Sequence, residues 1–189
     1  LEIGFPGPHP PYDPVERYVD NYLDKELPIH EASEEERSNQ PRALQDLRER
    51  MEEVFIDSLA FNSRATTEQR QRQRAYYLAN VTMIDDKVGE ILEALRRNSY
   101  LDNAVVIFTS DHGDCLGDHA LGQKWNMYDT IVRVPTVIWS SDQSSNGRVV
   151  DDLYQWFDIG PTILELAGLE APDHFEAISM VPALHNDSS

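Results

Sequence analysis

Between positions 111 and 124 the chain gathers most of its chemistry: Asp111, His112, Asp114, Asp118, His119 and Lys124, separated by Gly113, Gly117 and Gly122. In a loop, neighbouring side chains can turn towards one centre, so the Asp111 carboxylate and the His112 imidazole can share a cation. A carboxylate suits Ca²⁺, Mg²⁺ or Mn²⁺, and an imidazole nitrogen shifts the preference towards Mn²⁺ or Zn²⁺. Lys124 offers a compact ammonium suited to an anionic oxygen. His119 has three readings: ligand, acid, or hydrogen-bonding support. The plainer alternative has Asp111 and Asp114 capping the next element and His119 solvated. Asp-His-Gly-Asp is weak as a motif by spacing alone, and the elements around it give it weight.

Immediately before the loop, residues 104–109 form an apolar, largely β-branched run. Such a run predicts a strand buried on both faces, as in a parallel sheet covered by helices. Open α/β sheets bind ligands just beyond the C-terminal ends of their strands, where this loop begins. Upstream, Tyr77, Val81, Ile84, Val88, Ile91 and Leu95 recur at spacings of three and four. They predict a helix over 67–97 with Thr67 as its N-cap and the apolar stripe as core. Helix, loop and strand in that order make one limb of an α/β crossover.

The remaining elements are simpler. Leu44, Leu47, Met51, Val54 and Phe55 predict an amphipathic helix over 43–55, and residues 15–22 a short helix or turn. The acidic stretch 27–40 reads as a surface loop, and 63–67 as polar and exposed. Residues 134–139 read as a second strand, and the later part of 153–166 as a helix stopped by Gly168. Near the start, five prolines between positions 6 and 14 stiffen the backbone around His9. That stiffness fits either a held histidine or a rigid surface loop.

A chain of 189 residues supports one sizeable core, hence one domain over 1–189. Its formal net charge of −18 disfavours nucleic acid and anionic membranes as partners. Only three of the basic residues are lysine (Lys25, Lys87 and Lys124). High acidity with scarce lysine suits a salt-loving, halophilic source, and equally an ordinary acidic protein. No run is long enough for a membrane span, and no basic-then-apolar signal segment is visible in the sequence, so the expected location is cytoplasmic. The lone cysteine, Cys115, excludes an internal disulfide.

Phe108-Thr109-Ser110-Asp111-His112-Gly113-Asp114, Leu116-Gly117-Asp118-His119, Lys124, Met127-Tyr128-Asp129 and Arg133-Val134-Pro135 together resemble the C-terminal part of the sulfatase catalytic domain. That family lies within the alkaline-phosphatase-like superfamily, and the likeness is strongest to choline sulfatases, iduronate-type sulfatases and phosphonate monoester hydrolases. Pro8-His9-Pro10-Pro11-Tyr12, Ile84-Asp85-Asp86 and 158–168 resemble further family segments, so the likeness covers nearly the whole chain.

The resemblance implies a partial alkaline-phosphatase-like α/β fold with a mostly parallel sheet flanked by helices. It implies Asp111 and His112 as ligands of a divalent metal, Ca²⁺ ahead of Mg²⁺ or Mn²⁺. Lys124 and His9 would be catalytic and would bind the ester together with His119. The family nucleophile, a formylglycine made from cysteine in a Cys-x-Pro-x-Arg segment, has no counterpart, because Cys115 is followed by Leu116-Gly117-Asp118. Cys115 is therefore expected to pack in the core. The chain reads as a fragment of a sulfatase acting on small sulfate esters, inactive alone, whose partner is the missing N-terminal part of its own domain. The alternatives are a phosphonate or phosphate ester hydrolase of the same superfamily, or a non-catalytic half-domain serving as a binding or assembly module.

Overall fold

The computed structural model describes residues 1–54, 63–142 and 147–185. They form two compact units, Leu1–Ala94 with His112–Val134 and Leu95–Asp111 with Pro135–Ser189.

The first unit is built on α1 (Glu16–Val19), α2 (Glu34–Asn39), α3 (Arg42–Val54) and most of α4 (Thr67–Arg97), with α5 (Asp129–Val132) in its returning loop. The long helix has the bounds its periodicity predicts. Its cap is Thr66 rather than Thr67: Gln69 N donates to Thr66 Oγ1 at 3.2 Å while Thr66 N donates to Gln69 Oε1 at 2.8 Å. This reciprocal box satisfies two backbone donors and contributes about 1 kcal/mol. The buried positions of α4 are Arg70, Gln73, Ala75, Ala79 and Asn80. The apolar stripe expected to be core is only partly covered, and Val81 is 41% exposed. Small Ala79 lets α1 approach closely, and Tyr18 and Val19 pack there with Tyr22, Tyr76 and Met83 around them. Tyr18 Oη then reaches Asp86 at 2.8 Å and Tyr22 Oη reaches Thr82 Oγ1 at 2.6 Å.

Two expectations change in this unit. The acidic stretch read as a loop contains α2, because Ser33 caps it by accepting Glu36 N at 3.0 Å and three glutamates fill its first turn, where the helix dipole favours anions. Ser63, expected to be exposed, is buried, and its carbonyl accepts from Arg70 Nη2 at 2.8 Å. Phe55, assigned by spacing to the end of α3, lies outside the described residues.

The second unit holds β1 (Val105–Thr109), β2 (Thr136–Ser140), α6 (Ile159–Leu166) and α7 (Val181–Leu184). The α/β class stands, but the expected parallel pairing does not describe this sheet. Among the described residues β1 and β2 make one antiparallel pair, with Val105 opposite Ser140 and Thr109 opposite Thr136. The reason is connectivity. The chain leaves the C-terminal end of β1 and re-enters β2 at that same end, whereas a parallel partner needs a crossover to the opposite end. Nor is β1 buried on both faces: Val105 and Phe108 are exposed. At the end of α6, Gly168 has φ +73°, with Gly168 N on Glu165 O at 2.9 Å and Leu169 N on Leu164 O at 2.8 Å. These are the paired bonds of a Schellman stop, at the expected glycine.

Asp158 and Thr162 tie this helix to the later chain. Asp158 is 3% exposed, and its two carboxylate oxygens accept Gln155 N at 2.7 Å and Ile178 N at 2.9 Å. Thr162 Oγ1 donates to Asp158 O at 2.6 Å and accepts Met180 N at 2.8 Å.

Candidate functional site

The loop 112–134 is held by its own backbone and by a few buried side chains. Gly113 N donates to Ile131 O at 2.9 Å, Cys115 N to Gln123 O at 3.0 Å and Gly117 N to Leu121 O at 3.1 Å. The loop thus folds back along itself. Gly113 is needed because a Cβ there would overlap the Thr130 carbonyl oxygen. Cys115, Leu121 and Ile131 form the apolar underside, with Leu44 and Leu47 of α3 and Tyr128 against them. Cys115 has no exposed surface, and burial pushes its thiol up, so it packs as expected and is kept from acting as a nucleophile.

Arg70 props the turn from below. It is 4% exposed, and its guanidinium donates to the carbonyls of Ala65, Gly117 and Ser63 at 3.2, 2.6 and 2.8 Å. Burial pulls its pKa down from the ordinary arginine value. Leu116, Gly117, His119, Ala120 and Gln123 all have positive φ. Four of these are not glycine, and such a concentration of left-handed backbone stores strain that the surrounding bonds must hold.

On this frame His112 and Lys124 meet. Lys124 Nζ lies 2.6 Å from His112 Nε2, and His112 Nδ1 lies 2.7 Å from Gly113 O. A carbonyl only accepts and an ammonium only donates. The ring is therefore the neutral tautomer with hydrogen on Nδ1 and a lone pair on Nε2 aimed at a positive charge. A histidine that binds a metal through Nε2 requires the same tautomer, often fixed by such a backbone carbonyl. The lysine ammonium stands as a cation at that lone pair, so the imidazole fits the divalent metal implied by the resemblance. Asp111, the preceding residue in the chain, is exposed and belongs to the second unit.

His9 is exposed, with Nδ1 2.8 Å from Pro10 O. Its segment is fastened to the loop three residues on, where Tyr12 Oη donates to Asp114 Oδ2 at 2.8 Å and the Tyr12 ring meets Tyr77 edge-on at 5.8 Å. Asp114 Oδ1 accepts Leu116 N at 2.9 Å, so this carboxylate links two segments and turns the loop. Burial, and then the charge of Asp114, push the Tyr12 and Tyr77 phenols up.

His119 is placed in a second cluster. Its Nδ1 is 2.6 Å from Glu36 Oε1, and its ring stacks on Tyr128 at 3.8 Å and 6°. His30 Nε2 lies 3.0 and 3.3 Å from the two Glu36 oxygens. Hydrogen bonds from His119 and then His30 pull the Glu36 carboxyl below its usual range. The ligand atoms of His30, Glu36 and His119 lie within 4.8 Å of one another. His30 and Glu36 escape a sequence reading because 83 or more positions separate them from His119. The signal that could have found Glu36 was the Ser33-x-x-Glu36 capping pattern.

The fold superposes on a phosphonate monoester hydrolase from Silicibacter pomeroyi with a TM-score of 0.82 at 25% identity, over 96% of this chain and 36% of that one. The fold is that of the alkaline-phosphatase-like hydrolases. The family model for sulfatases matches residues 2–169, and the chain belongs to the sulfatase family. It is 31% identical over 192 residues to an arylsulfatase of Clostridium perfringens, covering 100% of this chain and 38% of that protein. It is 29% identical to a choline-sulfatase of Rhizobium meliloti, covering 98% of this chain and 35% of that protein. The chain thus spans little more than a third of the length of these relatives. Among the described residues, no helix is long and apolar enough to cross a membrane.

Proposed function

We propose that this chain supplies the metal- and oxyanion-binding side of a hydrolase acting on small monoesters of a tetrahedral anion, sulfate or phosphonate alike. The observation that carries the reading is the 2.6 Å approach of Lys124 Nζ to His112 Nε2 in the loop that follows β1. The sulfate and phosphonate readings stand together because arylsulfatase, choline-sulfatase and phosphonate monoester hydrolase are all named among its relatives.

In this reading Asp111 and His112, neighbours in sequence, hold a divalent cation, Ca²⁺, Mg²⁺ or Mn²⁺. A cation held by these two residues would supply Lewis-acid polarisation of the bound ester. The Lys124 ammonium, on its flexible stem, turns from the imidazole to an oxygen of the same group and binds the charge that grows there. His9, on the segment fastened by Tyr12, gives a proton to the leaving-group oxygen. His119 supports the loop rather than the ester, since its ring is committed to Glu36 and Tyr128. The buried Cys115 is not the nucleophile. Because the chain spans 38% of its arylsulfatase relative, the segment carrying the nucleophile is proposed to lie outside residues 1–189, which form one part of a single catalytic domain.

The test is hydrolysis of a nitrophenyl sulfate and a phenylphosphonate ester by the full-length protein and its Lys124→Ala and His112→Ala variants. Each variant is expected to lose about 10²–10³-fold in kcat/KM on the preferred ester. Unchanged turnover by Lys124→Ala would contradict the reading, and hydrolysis of neither ester by the parent would favour a binding or assembly module.

A further inference from the structure

The cluster of His30, Glu36 and His119 shares no residue with the ester site proposed above, and its chemistry differs. Two imidazole nitrogens and one carboxylate form a borderline-soft donor set, of the kind that takes Zn²⁺ with one coordination position left open. Ca²⁺, which prefers six or more oxygens, finds a poor set here.

The geometry suits the smaller ion. Ligands about 2.0–2.1 Å from a tetrahedral zinc stand roughly 3.3 Å apart. The nitrogen–oxygen edges from Glu36 to His119 and to His30 already measure 2.6, 3.0 and 3.3 Å. The remaining edge, between the two histidines, lies within 4.8 Å. A rearrangement of an ångström or so completes the triangle, and exposed His30, whose side chain is 51% accessible, is free to make it.

The surroundings fix the other two ligands. Gln40 Nε2 donates to His119 O at 2.8 Å, Tyr128 stacks on the His119 ring, and α2 presents Glu36 one turn after its Ser33 cap. Asp118, next to His119 in the chain, is taken by Arg74 and by His30 N, which keeps the donor set at two nitrogens and one carboxylate.

We infer that His30, Glu36 and His119 form a zinc-class cation site that clamps the 30–36 segment to the strained turn at 116–123. A bound ion would replace the hydrogen bonds between Glu36 and the two imidazoles with three coordination bonds, and hold His119, whose φ is 57°, in its left-handed conformation. The inference stands independently of the ester-hydrolase reading.

The test uses the full-length protein with Zn²⁺ as the probe. Crystals grown with Zn²⁺ are examined for anomalous scattering at the zinc edge, and binding is measured by competition with a chromogenic chelator. The inference predicts an anomalous peak bounded by His30, Glu36 and His119, and a melting temperature that rises with Zn²⁺. Glu36→Gln and His119→Ala are expected to weaken this site by at least about 100-fold, beyond the range seen for ligand-supporting residues. His30→Ala, at an exposed position, guards against loss through misfolding and should weaken it as well. Because His112→Ala is expected to keep the site, failure here is distinguishable from failure of the ester reading. Absence of a peak at these three residues, or Zn²⁺ affinity unchanged in all three variants, would overturn the inference.

Discussion

At the scale of single residues, the loop after β1 relies on a few side chains whose ionisation the fold restricts. Tyr12 is the clearest, because its hydroxyl is the link from the proline-rich segment to Asp114. Burial and the neighbouring carboxylate hold the Tyr12 and Tyr77 phenols above the ordinary tyrosine value of 10.0. Above that value the unfolded chain releases protons that the folded chain retains, so folding stability falls as pH rises. Below it the contribution is fully present. Alkaline titration followed by tyrosinate absorption should find Tyr12 and Tyr77 of the folded protein ionising above the ordinary tyrosine value. Tyr12→Phe should reduce their number by one and cost about 1–2 kcal/mol, by stranding Asp114 without its donor. Ordinary ionisation of Tyr12 and Tyr77 in the folded protein would refute the assignment.

At this scale the sequence was informative about identity and silent about partners. Asp111, His112 and Lys124 could be singled out because they crowd a short loop after an apolar run. The Lys124–His112 contact also follows a local path, since only twelve positions separate them. The pairing of His119 with Glu36 could not be read, because nothing local to either residue signals the other.

At the scale of elements, the helices were legible wherever their signals were local. The stripe from Tyr77 to Leu95 gave the long helix its extent, and Gly168 gave α6 its stop. The cap of the long helix was misplaced by one residue because Thr66 and Thr67 are equally good caps by type. Gln69 decides between them, as it lies three positions after Thr66. Helix α2 was missed because charge density outweighed a capping pattern that was present. The antiparallel pairing of β1 and β2 depends on which end of the sheet the loop returns to, and residue type does not encode that.

Asp158 is the element-scale test. In the sequence it stands out only as part of the family-like segment 158–168, yet it accepts two backbone amides from either side of α6. Asp158→Ala should destabilise the protein by roughly 2–4 kcal/mol in denaturant unfolding, since it leaves both donors unpaired. Asp158→Asn, which keeps one acceptor, should lose less. Equal and small losses for both variants would show that the carboxylate does not join these segments.

At the scale of the whole molecule, the family is settled by a family model matching residues 2–169 and the α/β class by the superposition on a phosphonate monoester hydrolase. The burial expected of β1 and of the α4 stripe is incomplete: Phe108 is 42% exposed, beside the 41% of Val81. Apolar runs predict what a strand or helix would bury, and these residues do not find all their cover among the described residues. The same shortfall explains why a periodic stripe was legible as a helix and misleading as a core.

The central claim is that His112 and Lys124 form a cation-and-oxyanion pair at the exit of β1. The most direct measurement is a crystal structure of the full-length protein with its divalent metal and sulfate or vanadate bound. The claim predicts the metal on Asp111 and His112 Nε2, with Lys124 Nζ moved from the imidazole to an oxygen of the anion. An anion bound away from Lys124, with the ammonium still resting on His112, would contradict it.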